Sequence, residues 1–190
     1  FIPQALAQGA AAVLAPSDTP DEAAPVLVTS GDVRRAYAIA ARGFYGAQPK
    51  TCVAVTGTNG KTSVAAFCRQ IWAGVGHKSA SMGTLGVVGQ KGGKTYALTG
   101  PGLTSPDAAE AARLMAELAR KDVTHVALEA SSHGIDQRRL DGVALKAAAF
   151  TNLTQDHLDY HGTMQDYRAA KMRLFETLLP RGLSLIHISE

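Results

Sequence analysis

Nowhere in its 190 residues does an apolar run approach the roughly 20 residues that a helix needs to cross a bilayer. The opening Phe1-Ile2-Pro3-Gln4 has no basic segment leading into an apolar one, so no signal peptide is read there. The missing initiator Met suggests that the natural N-terminus lies further upstream. Cysteine is scarce: Cys52 and Cys68 are the two present, and both are read as buried free thiols suited to a reducing cytoplasm. Charge of one sign is scarce too. Nineteen Lys and Arg against sixteen Asp and Glu leave a net +3, which suits an anionic substrate. No Lys/Arg-rich stripe interleaved with aromatics appears, which argues against a nucleic-acid partner. There is no internal repeat and no low-complexity tract. At 46% hydrophobic and 18% charged, the chain reads as globular, with length for one domain or one domain plus part of another.

What is present alternates between helix and strand signals, the pattern of an α/β fold with a mostly parallel sheet. Residues 11–15 and 25–29 read as short strands and Asp32 to Phe44 as a helix, followed by a linker-like Gly46-Ala47-Gln48-Pro49. A strand at 51–56, a loop at 57–62 and a helix to about Ala73 open a new unit. The glycines between β-type residues in 84–98 predict a hairpin. Ser105-Pro106-Asp107 reads as a helix start with Ser105 as cap and Pro106 at the first helical position. Ala108, Ala111, Leu114, Met115 and Leu118 mark that helix's apolar face. Val123 to Glu129 and Ala147 to Phe150 read as buried strands, and Thr163 to about Leu179 as a last amphipathic helix.

Chemistry concentrates in three places. Residues 53–63 run Val-Ala-Val-Thr-Gly-Thr-Asn-Gly-Lys-Thr-Ser, a β-branched strand feeding a glycine turn that enters a helix. That order makes a phosphate cradle, because the glycines let backbone N–H groups converge on phosphate oxygens. Lys61 adds a mobile positive charge, and the Thr62 hydroxyl can ligate the Mg²⁺ that accompanies a nucleotide. Val55 stands where the general pattern has its first Gly, so the loop is the compact Gly57-x-x-Gly60-Lys61-Thr62 form; an ordinary glycine turn with a surface lysine is the competing reading. Glu129 ends an apolar strand, where a parallel sheet lines its ligand crevice, and it reads as a metal-holding carboxylate or else as a cap for a neighbouring helix. Thr151 to Gly162 packs two Asp, two His and an Asn into twelve residues, a loop expected to face a cleft. His157 and His161 are four apart, but Leu158 stands where a zinc-protease helix carries Glu. The pair is also expected ahead of the helix that Thr163 caps, so zinc hydrolysis is the lesser alternative.

The phosphate loop Thr56–Thr62, the strand end Leu128-Glu-Ala-Ser-Ser-His-Gly134 and the loop Asn152–Gly162 together resemble the Mur ligase family. The loop and Asp156-His157 are shared with folylpolyglutamate synthetases. Ser131 with Gln137 and Arg139, and Leu103-Thr104-Ser105-Pro106, point instead to the branch that adds the third residue of the peptidoglycan stem peptide. The resemblance covers residues 1 to about 182. It implies that Gly57, Thr58, Asn59, Gly60, Lys61, Thr62 and Ser63 cradle ATP, that Thr62 and Glu129 hold one Mg²⁺, and that His157 helps to hold a second. It further implies that Lys171 carries a CO₂-derived carbamate facing that ion, which requires a neutral amine and therefore a depressed pKa. Thr104, Ser105, Ser131, Gln137 and Arg139 would grip a UDP-muramoyl dipeptide, to which an ATP-dependent C–N ligation in the cytoplasm joins a free amino acid, diaminopimelate or lysine. Lys61, Glu129, His157 and Lys171 are the catalytic candidates. A nucleotide-binding module without amide chemistry is the rival outside the enzyme class.

The resemblance divides the chain. Residues 1–46 correspond to the end of a UDP-binding domain and 47–182 to part of the central ATP-binding domain, with the domain for the incoming amino acid absent. Residues 183–190 depart from the family pattern and read as a cloning tail or a short natural strand. His77 and His125 are expected to be structural, Arg138 to lie at the surface, and His133 is given no role.

Overall fold

A computed structural model describes residues 1–91, 93–98 and 105–180, together with the backbone of 184–187. The first 45 residues form helix α1 (Ile2–Ala7), strand β1 (Val13–Pro16), a 3₁₀ turn at Asp21–Ala23, β2 (Leu27–Ser30) and α2 (Val33–Tyr45). β1 and β2 pair in parallel, two residues later than the sequence suggests at each start. The Asp32 carboxylate caps α2 by accepting from the Arg35 N–H at 3.0 Å.

The remainder builds a seven-stranded sheet in the order β6-β5-β4-β7-β3-β8-β9. β3 (Thr51–Thr56) lies between β7 (His125–Glu129) and β8 (Leu145–Phe150), parallel to both. β4 (Ser79–Gly83) runs parallel on the far side of β7, and the expected hairpin, β5 (Gly86–Lys91) and β6 (Lys94–Leu98), extends that edge antiparallel. α3 (Lys61–Gly74) follows the phosphate loop, α4 (Ala108–Arg120) precedes β7, and α5 (Ser132–Asp136) follows it. After β8 come a one-turn helix α6 (Leu158–His161), α7 (Met164–Arg173) and a π-helical turn at Leu174–Leu178. β9 (Ser184–His187) adds to the other edge, parallel to β8. That strand lies in the segment expected to depart from the family pattern.

The core sits between sheet and helices. Cys52, Ala54, Val126, Leu128 and Ala148 from the central strands meet Leu114, Met115 and Leu118 of α4, with Ile135, Leu140 and Leu174 beside them. Central strands buried on both faces need the continuous apolar runs that β3 and β7 carry. Every residue expected on the apolar face of α4 is buried, and α2 packs against that helix as well.

One local expectation fails. Asp107, not Ser105, caps α4: its carboxylate accepts from Ala109 and Glu110 N–H groups at 2.9 and 3.0 Å, and Pro106 precedes the cap. A carboxylate at a helix N-terminus also complements the macrodipole, which a serine hydroxyl cannot do. The linker-like Gly46–Pro49 is anchored. The Gln48 side chain donates to the Gly142 carbonyl at 2.7 Å and accepts from the Ala144 N–H at 2.9 Å.

Candidate active site

The carboxyl ends of β3, β4, β7 and β8 converge on one pole of the sheet, as their shared direction requires. The phosphate loop leaves β3 there. Gly57 has φ +138°, and a Cβ at that position would strike the Thr151 hydroxyl and the Asn152 backbone. Only glycine fits. Gly60 is left-handed at φ +84° and leads straight into α3. The loop following β8 braces the turn: Thr58 N–H donates to the Asn152 carbonyl at 2.9 Å, and Asn59 N–H to the Asn152 side-chain oxygen at 3.0 Å. The Thr151 hydroxyl donates to the Asn59 carbonyl at 2.6 Å. Ser63 lies in the first turn of α3.

Lys61 and Thr62, the first residues of α3, point different ways. The Lys61 ammonium folds back and donates to the carbonyls of Gly57 and Thr58 at 3.0 and 2.7 Å. Burial pulls its pKa below the ordinary lysine value, against the opposing pull of Glu129 and Asp156. The Thr62 hydroxyl donates to Glu129 Oε2 at 2.9 Å. Glu129 is 4% exposed, and Thr84 adds two donors to the carboxylate, its N–H to Oε1 at 3.0 Å and its hydroxyl to Oε2 at 3.2 Å. Gly83 makes room for that carboxylate, since a Cβ there would overlap it. A buried carboxylate and a hydroxyl side by side, both hard oxygen donors, form a donor set that fits Mg²⁺. Neither Gly83 nor Thr84 stands out in the sequence; a Gly-Thr pair directly after a strand is the signal that marks them.

Lys171 approaches the loop from α7. Its ammonium donates to the same Gly57 carbonyl at 2.8 Å and lies 4.3 Å above the Tyr167 ring. Burial, with Lys61 nearby, lowers its pKa to about 7, partly opposed by Asp156. Tyr167, one helical turn before Lys171, is fully buried with its hydroxyl 3.2 Å from that of Thr58. This residue too escapes sequence reasoning, although the four-residue spacing from Lys171 puts both on one face.

His157 stands one ring further out, 6.3 Å from Tyr167 between ring centres and 4.8 Å from His133. Its backbone is left-handed, φ +51°, and Asp156 accepts its N–H at 2.9 Å. The structure thus brings Lys61, Thr62, Glu129 and Lys171 to the loop, with His157 adjoining them through Tyr167. Both histidines precede the helix that Thr163 caps, as expected, and a one-turn helix not foreseen joins them: His157 is the N-cap of α6 and His161 ends it. Among the described residues no three His, Cys, Asp or Glu side chains cluster to hold a metal ion.

Ser105, Ser131, Gln137 and Arg139 join one network beside Glu129. The Ser105 hydroxyl lies 3.0 Å from that of Ser131 and 3.2 Å from the Glu129 carbonyl. Ser131 also caps α5, accepting from the Gly134 N–H. Arg139 donates to the Ser105 carbonyl at 2.7 Å and to the Gln137 side-chain oxygen through two nitrogens. Thr104 falls outside the described residues. Arg138, expected at the surface, is partly buried and pairs with Asp32 at 2.7 Å. His77 and His125 stack on each other at 4.0 Å, next to Trp72 and away from the loop.

A parallel sheet whose central strand feeds a Gly-x-x-Gly-Lys-Thr turn and a helix defines a P-loop-type α/β protein. Comparison with known families narrows that class: the Mur ligase middle domain matches residues 55–190, and the chain belongs to the Mur ligase family. A curated relative from Caulobacter vibrioides, named UDP-N-acetylmuramoyl-L-alanyl-D-glutamate--2,6-diaminopimelate ligase, is 63% identical over 183 residues. That match takes in 96% of this chain and 38% of the relative, so the chain spans well under half of the relative's length. A solved structure bearing the same enzyme name superposes with a TM-score of 0.76 at 33% identity, covering 92% of this chain and 34% of that one. The MurF ligase of Thermotoga maritima in complex with ADP has a TM-score of 0.56 at 19% identity, covering 98% of this chain and 39% of that one, and shares the fold. Among the described residues no helix is long and apolar enough to cross a membrane.

Proposed function

We propose that this chain is the ATP-binding part of a ligase that adds the third amino acid to UDP-N-acetylmuramoyl-L-alanyl-D-glutamate in the cytoplasm. The observation that carries the reading is the Thr62–Glu129 pair at 2.9 Å beside two lysines that share the Gly57 carbonyl. On this reading residues 1–46 end a UDP-binding domain and 47–182 belong to the ATP-binding domain.

Gly57 to Ser63 would cradle the ATP phosphates through backbone N–H groups at the start of α3. Lys61, now satisfied by loop carbonyls, would exchange them for phosphate oxygens. Thr62 and Glu129 would hold one Mg²⁺, and His157 with a carbamate on Lys171 a second; when bound, the ions offset repulsion between triphosphate and carboxylate. A buried amine with its pKa near 7 supports the carbamate. In its neutral form the Lys171 nitrogen would attack CO₂: an N–C bond forms, one C=O π bond opens and leaves its electron pair on oxygen, and one amine proton leaves. Ser105, Ser131, Gln137 and Arg139, with Thr104, would hold the UDP-muramoyl dipeptide. Three of the five Arg139 N–H donors are engaged, which leaves two for an anionic group of the substrate.

The substrate's free glutamyl carboxylate would accept the γ-phosphoryl group, and the amine of the incoming amino acid would then displace phosphate. An unactivated carboxylate is a poor electrophile, and the phosphoryl group supplies the leaving group. The relative's name favours diaminopimelate as that amino acid. The test is ADP release by the full-length protein given ATP, Mg²⁺, the UDP-muramoyl dipeptide and either diaminopimelate or lysine. Release that depends on the dipeptide and diaminopimelate is expected; release with a folate substrate in its place would overturn the assignment.

A further inference from the structure

We infer that Tyr160 is a positioning residue for the dipeptide-binding set, fixing the Gln137 amide in the orientation that presents Arg139 to substrate. The inference rests on the ligase reading above.

Tyr160 belongs to α6, in the loop after β8, whereas Gln137 and Arg139 follow α5, after β7. The Tyr160 hydroxyl reaches across this gap. It donates to Asp136 Oδ2 at 2.9 Å and receives the Gln137 side-chain N–H at 3.1 Å. The order of these bonds is forced by chemistry. An ionised carboxylate only accepts, so the one phenolic proton is committed to Asp136. Towards Gln137 the Tyr160 oxygen can then only accept, and the amide must turn its NH₂ that way. Its carbonyl oxygen therefore faces Arg139, whose Nε and Nη2 donate to it at 3.2 and 2.7 Å. The third Arg139 bond, to the Ser105 carbonyl, completes the clamp on the guanidinium.

The tyrosine itself is held by its ring, which lies 4.0 Å from that of His133; His133 in turn meets His157 edge-on at 4.8 Å. The chain Tyr160–Gln137–Arg139–Ser105 thus runs from the loop bearing His157 to the residues beside Glu129, with Asp136 of α5 fixing the Tyr160 hydroxyl. Without the Tyr160 oxygen the Gln137 NH₂ loses its partner, the amide is free to rotate, and Arg139 loses two of its three hydrogen bonds.

Tyr160 is 40% exposed, so Tyr160→Phe keeps the ring and removes only the oxygen without disturbing the core. In the full-length ligase this variant is expected to raise KM for the UDP-muramoyl dipeptide by about threefold to tenfold, the worth of one hydrogen bond. Its kcat, its KM for ATP and its thermal midpoint stay at the wild-type values. Gln137→Ala raises the same KM, and adding Tyr160→Phe to it produces no further rise, because the tyrosine acts only through the glutamine. An unchanged dipeptide KM in Tyr160→Phe, a loss confined to kcat, or an additive effect in the double variant overturns the inference. Absence of dipeptide-dependent ADP release by the wild-type protein overturns the ligase reading instead, and that result is seen before any variant is compared.

Discussion

Lys171 is 1% exposed, a cation with one carbonyl, one aromatic face and another lysine for company. Its pKa near 7 in the folded chain, against an ordinary value of 10.5, means that folding strips a proton from it over the interval between. The unfolded chain binds more protons there, so stability rises with pH from about 7 towards 10, and the penalty is fully present below pH 7. Lys171→Met is therefore expected to stabilise the ligand-free protein by on the order of 2 kcal/mol at pH 6. The gain should shrink towards pH 10, which thermal melts at the two pH values would show. A group kept at such a cost is consistent with a functional role, and ligation by the full-length variant should be lost. Cys52 makes the contrasting case. Burial raises its thiol pKa to about 12 with no charged partner involved, so it should resist alkylation until the protein unfolds. Residues of both kinds were legible in part: the lysine's importance came from its motif, whereas its burial against Tyr167 depends on how α7 docks.

Among elements, the phosphate loop was the most readable because its glycines, lysine and threonine are contiguous and their roles local. The partner that orients Glu129 was not readable. Gly83 ends β4 and Thr84 follows it, and they reach Glu129 only because β4 lies beside β7, a pairing set by strand order that the local Gly-Thr signal does not reveal. Gly83→Ala is expected to push the carboxylate away from Thr62 and weaken Mg²⁺-dependent nucleotide binding at least about tenfold, the scale of a lost charge-assisted contact. A fluorescent ATP analogue titrated with and without Mg²⁺ would measure it. The start of α4 was misjudged for an opposite reason. A local capping rule favoured Ser105, but tertiary bonds to Glu129 and Ser131 claim that hydroxyl and leave Asp107 to cap. Asp107→Ala should then cost about 1 kcal/mol in urea unfolding.

Over the whole molecule, alternation of helix and strand foretold the parallel α/β sheet, and β3, α3 and the hairpin fall where the sequence places them. How the first 45 residues meet the rest was hidden, since it depends on long-range contacts. Asp32 pairs with Arg138, Gln48 ties to Gly142 and Ala144, and α2 lies so close to Gly142 that a Cβ there would stand 2.6 Å from the Ala38 carbonyl. Gly142→Ala is accordingly expected to cost about 1–3 kcal/mol and to open the 46–49 segment to proteolysis. The central claim is that the turn at 57–62 and Glu129 jointly hold a metal-bound triphosphate. ATP affinity measured with and without Mg²⁺ in the wild-type protein and in Glu129→Gln tests it most directly. The metal should tighten binding by at least about tenfold in the wild type and by little in the variant; an equal gain in both proteins would contradict the account.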